Sequence, residues 1–426
     1  MPQTVKRKVI KPEYYDKFHC IMAACEENCC NRPWRITIDR KTYAKYRNTK
    51  DPVFRKKQEK YVKRIRGAQS DDLNYARFVF DDDRSCPFQT PEGLCEIHRD
   101  HGEGYLSRTC RVYPRLARSM IEDFMEMSVT MSCPHAVRVG LLSEEPMEFN
   151  ADFVEFDETD PLLSNWRGGY WADRKKPYVK HGWAMREAAI TIMQMRTCSV
   201  AHRIIIIAMM LNDIVELHDS GKTEEIPDVL DYYVNSTYGE EFMKDMEELE
   251  QNEEIRLQMS AQLYFVIEHN AAKDAASVFA ELINKYKAYA GDKDNGSSEL
   301  KNAMLYHAYT QQKAAAHWSK FLRQWEHVLE NYFVNYIFSE LFPLKFHDSG
   351  LNPYHHSFML AEQYALIKMI FCGNYDPGEG FSVAHISRTI SHIAQMNQHT
   401  RTPLKIVENF KNVGVDSPAH LYYLLF

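Results

Sequence analysis

Glycine is scarce in this chain, with 17 in 426 residues. Nucleotide crevices of the strand–loop–helix kind spend glycine where backbone must approach phosphate. No Gly-x-Gly-x-Gly follows a strand-like run, and the nearest stretches, Gly102-Glu-Gly104 and Gly378-Glu-Gly380, lack that context. A Rossmann-type site is therefore disfavoured. Long apolar runs are missing too. The longest, Ile204 to Leu211, is flanked by His202, Arg203 and Asp213, far short of the roughly 20 residues that span a bilayer. The charged opening from Met1 to Lys8 is not followed by an apolar segment of signal-peptide type, so the expected location is cytoplasmic. No His-Glu-x-x-His occurs among the scattered histidines, and no fixed-period repeat suggests a solenoid.

What remains is ample for a buried core. Hydrophobic residues make up 45% and aromatics 12%, which argues against disorder. The length suits two or three domains. The net charge of −7 conceals an asymmetry: residues 1–66 hold 19 Lys and Arg against 7 Asp and Glu. That basic stretch either meets an anionic surface or partner, or offsets the negative charge of thiolates beside it.

Along the chain, Trp34 to Ile38 alternates and reads as a strand, as does Asn74 to Phe80, which Asp81-Asp82-Asp83 closes. Residues 41–68 read as a helix with a basic face, and 117–132 as a strand pair. Residues 143–182, rich in Pro, Gly and Asp, read as a connection. Beyond them the apolar spacing turns helical over 183–217, 238–270, 272–290, 297–345, 354–372 and 381–396. The expected fold class is α+β, with a small cysteine-rich metal-binding domain of short strands over 1–142. A connection over 143–182 and a mostly α-helical body over 183–426 follow.

Eight of the ten cysteines lie before residue 134: Cys20, Cys25, Cys29, Cys30, Cys86, Cys95, Cys110 and Cys133. A disulfide framework needs an oxidising compartment, so metal ligation is the better reading. Soft thiolates select zinc, copper(I) or iron–sulfur clusters. The run Cys20-x4-Cys25-x3-Cys29-Cys30 and the Cys86-x8-Cys95 turn can each bring sulfurs to one centre. The spacing is neither that of a zinc ribbon nor the bacterial ferredoxin run. Eight thiols exceed the needs of one four-ligand centre, so either two sites exist or some thiols serve otherwise. Cys198 and Cys372 lie in apolar helical surroundings and read as core thiols. Arg108, Arg111 and Arg115 flank Cys110, where they suit charge compensation. His98 reads as a ligand, a donor behind the ligands, or a structural residue.

These residues carry a resemblance. Phe18-His-Cys20, Cys25, Cys29-Cys30, Trp34 to Asp39 and Thr42-Tyr43 resemble the opening of the Cys-x2-Cys-x2-Cys-Cys family of iron- or zinc-chelating proteins. Cys86-Pro-Phe, Gly93-Leu-Cys95-Glu-Ile-His98, Leu106 to Arg115 and Ser132-Cys133-Pro continue it, over roughly residues 14–135. With the long helical part, the chain is similar to the flagellin lysine-N-methylases of that family. The first spacing departs from the family's pattern, which leaves open which cysteines correspond to its ligands.

The resemblance implies methylation of flagellin lysines with S-adenosylmethionine and a [4Fe–4S] cluster on the cysteine motif. It also implies peripheral membrane association and self-assembly into a homo-oligomer. No nucleic acid partner is expected. The Cys-x3-Cys-x2-Cys signature of radical enzymes is missing, because Cys30 directly follows Cys29. The cluster then either takes part directly or staples the fold beside a separate donor site. Tyr113, Asp39 and Tyr43 are candidates for groups near the centre. The alternative is a zinc-binding interaction protein whose thiolates only hold the fold.

Overall fold

A computed structural model describes residues 4–426 apart from 32–35, 81–84, 120–123, 159, 164–177, 240, 241, 243, 245–252, 292–298, 346–349, 413, 415 and 416. Trp34, Asp81 to Asp83, and parts of the 117–132, 143–182 and 238–270 readings therefore lie outside the described residues. The chain is α+β, with short strands near its start and helices thereafter. Two compact units interleave along the sequence. The first gathers Met1–Arg7, Asp16–Ala117 and Phe153–Trp166; the second gathers Lys8–Tyr15, Arg118–Asp152 and Arg167–Phe426.

The first unit is built from short pieces. Three strands pair antiparallel, with Ala76–Phe78 between Thr37–Ile38 and Val62–Arg64. Ala76 and Phe78 are buried and Arg77 is exposed, as a half-buried strand requires. The basic stretch read as one helix is two, Arg40–Arg47 and Pro52–Tyr61, followed by a strand. The break has a local cause. The Asp51 carboxylate accepts the N–H groups of Val53 and Phe54, and Pro52 occupies the first turn, where no N–H is needed. Ile38, Tyr46, Phe54, Val62, Phe78, Phe88 and Ile97 close a small core on which Cys30, Cys86 and Cys95 pack.

The second unit rests on long helices. Pro353–Gly373 packs against Val200–Asp219, Glu299–Ser339, Val383–His399, Thr402–Asn412 and Pro418–Leu425. Of its 21 residues only Lys368 escapes burial. Asn352 starts it, its side chain accepting the His355 N–H while the His355 ring accepts the Asn352 N–H. The 183–217 reading splits at Ser199, which caps Val200–Asp219. Helices Ile226–Asn235, Thr402–Asn412 and Pro418–Leu425 were not foreseen.

Strand residues Val9 and Ile10 pair in parallel with Met125 and Glu126. Glu126 points its charge into the interior, where Arg186 meets both its oxygens at 2.7 and 2.9 Å. That guanidinium also lies 4.4 Å from the Trp183 ring centre. Arg203 and Arg196 both engage Glu330, at 2.7 and 2.8 Å. No described helix is long and apolar enough to cross a membrane.

Candidate metal centre

The first unit brings three cysteine-bearing segments together through their backbones. The Cys86 N–H donates to the Cys30 carbonyl at 2.8 Å. Asn28 joins the same two loops from the other side: its side-chain oxygen accepts the Cys30 N–H, and its amide donates to the Gly93 carbonyl, both at 2.9 Å. Gly93 has φ +81, in a turn closed by its N–H on the Thr90 carbonyl and by the Thr90 N–H on the Leu94 carbonyl. A side chain there would be strained. Beyond the turn, Cys95 faces Gln89 across a bridge and precedes the helix Glu96–His101. Cys110 sits in the short helix Arg108–Val112, which begins when Ser107 Oγ accepts the Cys110 N–H at 3.2 Å.

The sulfurs influence one another. Cys29 and Cys86 both hydrogen-bond the Cys30 thiol, and with burial they hold it far above the usual thiol range. Cys86 is held lower than usual, first by the Cys30 hydrogen bond and then by the Phe88 N–H. Burial raises Cys95, against the N–H groups of His98 and Ile97 aimed at its sulfur. Cys110 is exposed as a residue, yet its sulfur loses hydration among protein atoms and is pushed up to about 12, with Cys86, Cys29 and Cys95 adding repulsion. Five thiols thus share one neighbourhood, and backbone N–H groups point at two of them, Cys86 and Cys95. Such N–H donors stabilise thiolates at metal and iron–sulfur sites. All ten cysteines carry free thiols. Among the described residues no three His, Cys, Asp or Glu side chains close on one point to hold a single ion.

The other sequence candidates divide. Cys20 and Cys25 flank the short turn Met22–Ala24, and the Cys20 sulfur accepts the Met22 N–H at 3.4 Å. Cys133 falls in the second unit, before the helix Pro134–Leu141. Cys198 and Cys372 are buried, and burial pushes Cys372 up to about 12. His98 gives the site its N–H, while the residue is exposed. Arg111 pairs with Glu103 at 3.7 Å, Arg115 donates to the Phe18 carbonyl at 3.1 Å, and Arg108 reaches the Pro161 carbonyl at 3.5 Å. Asp39 caps Arg40–Arg47 by accepting the Thr42 N–H. Tyr43 packs edge-on against Tyr75. Tyr113 precedes the cis-proline Pro114.

Tyr46 was missed. It is fully buried, donates to the Tyr105 carbonyl at 2.8 Å, and its hydroxyl is held well above its usual range by burial and then by Cys110 and Cys95. Its place three residues after Tyr43, on the apolar side of a basic helix, was the available signal.

A thiol-rich α+β unit joined to a large helical body is the class that fold and site define. Over residues 186–424, more than half its length, the chain matches the model of the FliB lysine N-methylase C-terminal domain. It belongs to the FliB lysine N-methylase family. It is similar to the lysine-N-methylases of Salmonella typhimurium (strain LT2) and Salmonella choleraesuis (strain SC-B67), each 27% identical over 128 residues, which is 30% of either chain. The flagellar biosynthetic protein FliU of Salmonella muenchen is also 27% identical over 128 residues, 30% of this chain and 72% of that protein. The alignment thus spans under a third of the length of the two lysine-N-methylases. No solved structure matches the chain.

Proposed function

We propose that the chain is a protein-lysine N-methyltransferase that methylates lysine side chains of flagellin, with S-adenosylmethionine as donor and a [4Fe–4S] cluster on its cysteines. The observation that carries this reading is the family match over residues 186–424, joined to the packing of Cys30, Cys86 and Cys95 on one small core of the first unit, where the Cys86 N–H donates to the Cys30 carbonyl. The donor set suits a soft metal or cluster. Cys29, Cys30, Cys86, Cys95 and Cys110 are the residues that would hold it, with Cys20, Cys25 and Cys133 as the remaining candidates. When bound, the cluster would supply a redox-active or donor-binding iron, or a covalent staple for a small unit.

The rest of the chemistry falls to the protein. A lysine amine with a reference pKa near 10.4 must lose its proton before it can accept a methyl group, so the site must desolvate it or offer a base. The sulfonium of the donor is held best by aromatic faces or a carboxylate.

The test is anaerobic purification followed by incubation with methyl-labelled donor and flagellin. The expected result is a brown protein, broad absorption near 400 nm, and label on lysine. A colourless zinc protein that labels nothing would leave a structural metal module in its place.

A further inference from the structure

In the second unit an open cleft of about 540 Å³ lies between the helices Val278–Ala290 and Glu299–Ser339 and the turn after Gly373. Three residues of the longer helix, Lys313, His317 and Lys320, stand at i, i+4 and i+7 and so form one stripe. Lys313 and His317 line the cleft, and Lys320 reaches its wall by donating to the Tyr375 hydroxyl at 3.3 Å.

The charge of this stripe is not met within the protein. Neither Lys313 nor Lys320 has a carboxylate partner among the described residues; their ammonium groups lie 5.7 Å from the Tyr309 ring centre and 5.4 Å from that of Tyr375. Lys285, on the facing helix, differs: it bonds Glu281 at 3.0 Å, and Glu281 also takes Arg388 at 2.8 Å. Asp376 uses one oxygen to accept the Gly378 N–H at 2.7 Å. Set against Glu281 and Asp376, the four cations leave an excess of two positive charges. Between the two lysines, the His317 Nδ1 is buried with no hydrogen-bond partner among the described residues. Burial, and then Lys313 and Lys320, hold that ring below the usual histidine pKa, so it adds no charge at neutral pH.

The aromatic rings are already engaged. Tyr375 carries His317 at 4.1 Å and Phe381 at 4.9 Å as well as Lys320, and Tyr309 carries Tyr289 at 5.1 Å as well as Lys313. A stacked base or cofactor ring therefore finds no platform, and charge is the recognition element. The two lysines stem from positions two helical turns apart, about 10 Å along the axis. A single phosphate or small carboxylate does not bridge that span, and a duplex or a bilayer is too broad for a cleft of this size. An extended chain bridges it with acidic side chains two to four residues apart. We propose that the cleft is a docking groove for an extended acidic protein segment, whose carboxylates meet Lys313 and Lys320. Under the lysine methyltransferase reading, on which this rests, the segment belongs to the protein substrate and holds it through residues other than the methylated lysine.

The test is fluorescence anisotropy of the full chain with a labelled peptide carrying glutamate at every second position, and with its glutamine counterpart. The glutamate peptide should bind, more weakly as salt rises, and the glutamine peptide should not. The double variant Lys313→Glu/Lys320→Glu should weaken binding roughly tenfold or more, and Lys56→Glu, in the other unit, should leave it unchanged. Circular dichroism verifies each fold, and Lys313→Gln/Lys320→Gln replaces the reversed pair if that misfolds. The groove is overturned if the double variant binds within about twofold of wild type, or if both peptides bind alike or not at all. It is equally overturned if a single-stranded oligonucleotide displaces the peptide with the same dependence on the two lysines. In labelling assays the double variant should raise KM for flagellin and leave kcat unchanged. The two readings fail separately. Label transfer to flagellin with an unaltered KM in the double variant removes the groove and keeps the methylase. Lysine-dependent peptide binding by a chain that puts no label on flagellin removes the methylase and keeps the groove.

Discussion

The two units solve the problem of staying folded by different means. The helical unit closes around a 21-residue helix that is almost wholly buried, and it can keep ion pairs such as Arg186–Glu126 in its interior. The thiol-bearing unit has a three-stranded sheet of strands of 2 to 3 residues, helices of 5 to 10, and a modest aromatic core into which cysteines themselves are packed. Small cores leave little surplus over the entropy of ordering the chain, and metals or cross-links commonly supply the rest. The comparison teaches that the same residue type is a core filler in the helical unit at Cys198 and Cys372, and part of a small aromatic core at Cys30, Cys86 and Cys95, where the proposed metal would reinforce it.

The strongest way to break this comparison is to change cysteines on both sides. With the proposed cluster on these thiols, serine at Cys30, Cys86, Cys95 or Cys110 should lower bound metal and open the first unit to limited proteolysis, while Cys198→Ser should bind as much metal as wild type. Equal metal loss across the set, measured by elemental analysis, would erase the distinction.

Next in size is the buried charge of the helical unit. Arg186→Met removes the guanidinium that meets both oxygens of buried Glu126, at a cost of about 3–5 kcal/mol in chemical denaturation. The double change with Glu126→Leu should recover most of that loss, since both charges then leave the interior.

Glu362 sharpens the same point through pH. It is fully buried, neither carboxylate oxygen has a hydrogen-bond partner among the described residues, and burial holds its pKa well above the usual carboxylate value. A raised folded-state pKa favours folding only at low pH. Above about 4.5 the unfolded chain gives up a proton that the folded protein keeps, so stability falls as pH rises toward the folded value. Glu362→Gln should therefore gain on wild type by about 1.4 kcal/mol per pH unit above that point. A flat difference across pH 5–8 would mean the carboxylate is charged and compensated. The smallest effect belongs to the thiol-bearing unit: Asp51→Ala removes a helix cap and should cost about 1 kcal/mol.

Much of this was legible in the residues. The crowding of cysteines before residue 134 pointed to the thiol neighbourhood, and alternation located strands at Thr37–Ile38 and Ala76–Phe78. Other features were not read. Helix breaks without glycine went unnoticed at Ser199, where the serine oxygen accepting the His202 N–H was the only local sign. Thr402-Pro403 and Ser417-Pro418 open two short helices, but each is too brief to build a persuasive apolar period. The strand Thr4–Pro12 was hidden by its charge: Lys6, Arg7 and Lys8 stand in a row, with Lys6 and Lys8 on its exposed side, so the run reads first as a basic tail. Which cysteines meet depends on loop contacts such as Asn28 with Gly93, 65 positions apart, and spacing alone carries no trace of them.

The helix Pro353–Gly373 has a consequence for anyone who mutates it. An amphipathic helix tolerates polar replacements on its wet side, so a substitution scan rises and falls every three or four positions. This one has no wet side, and its tolerance profile should be a plateau of intolerance broken at Lys368, whereas Ile226–Asn235, buried at Ile226, Leu230 and Tyr233, should show the ordinary rhythm.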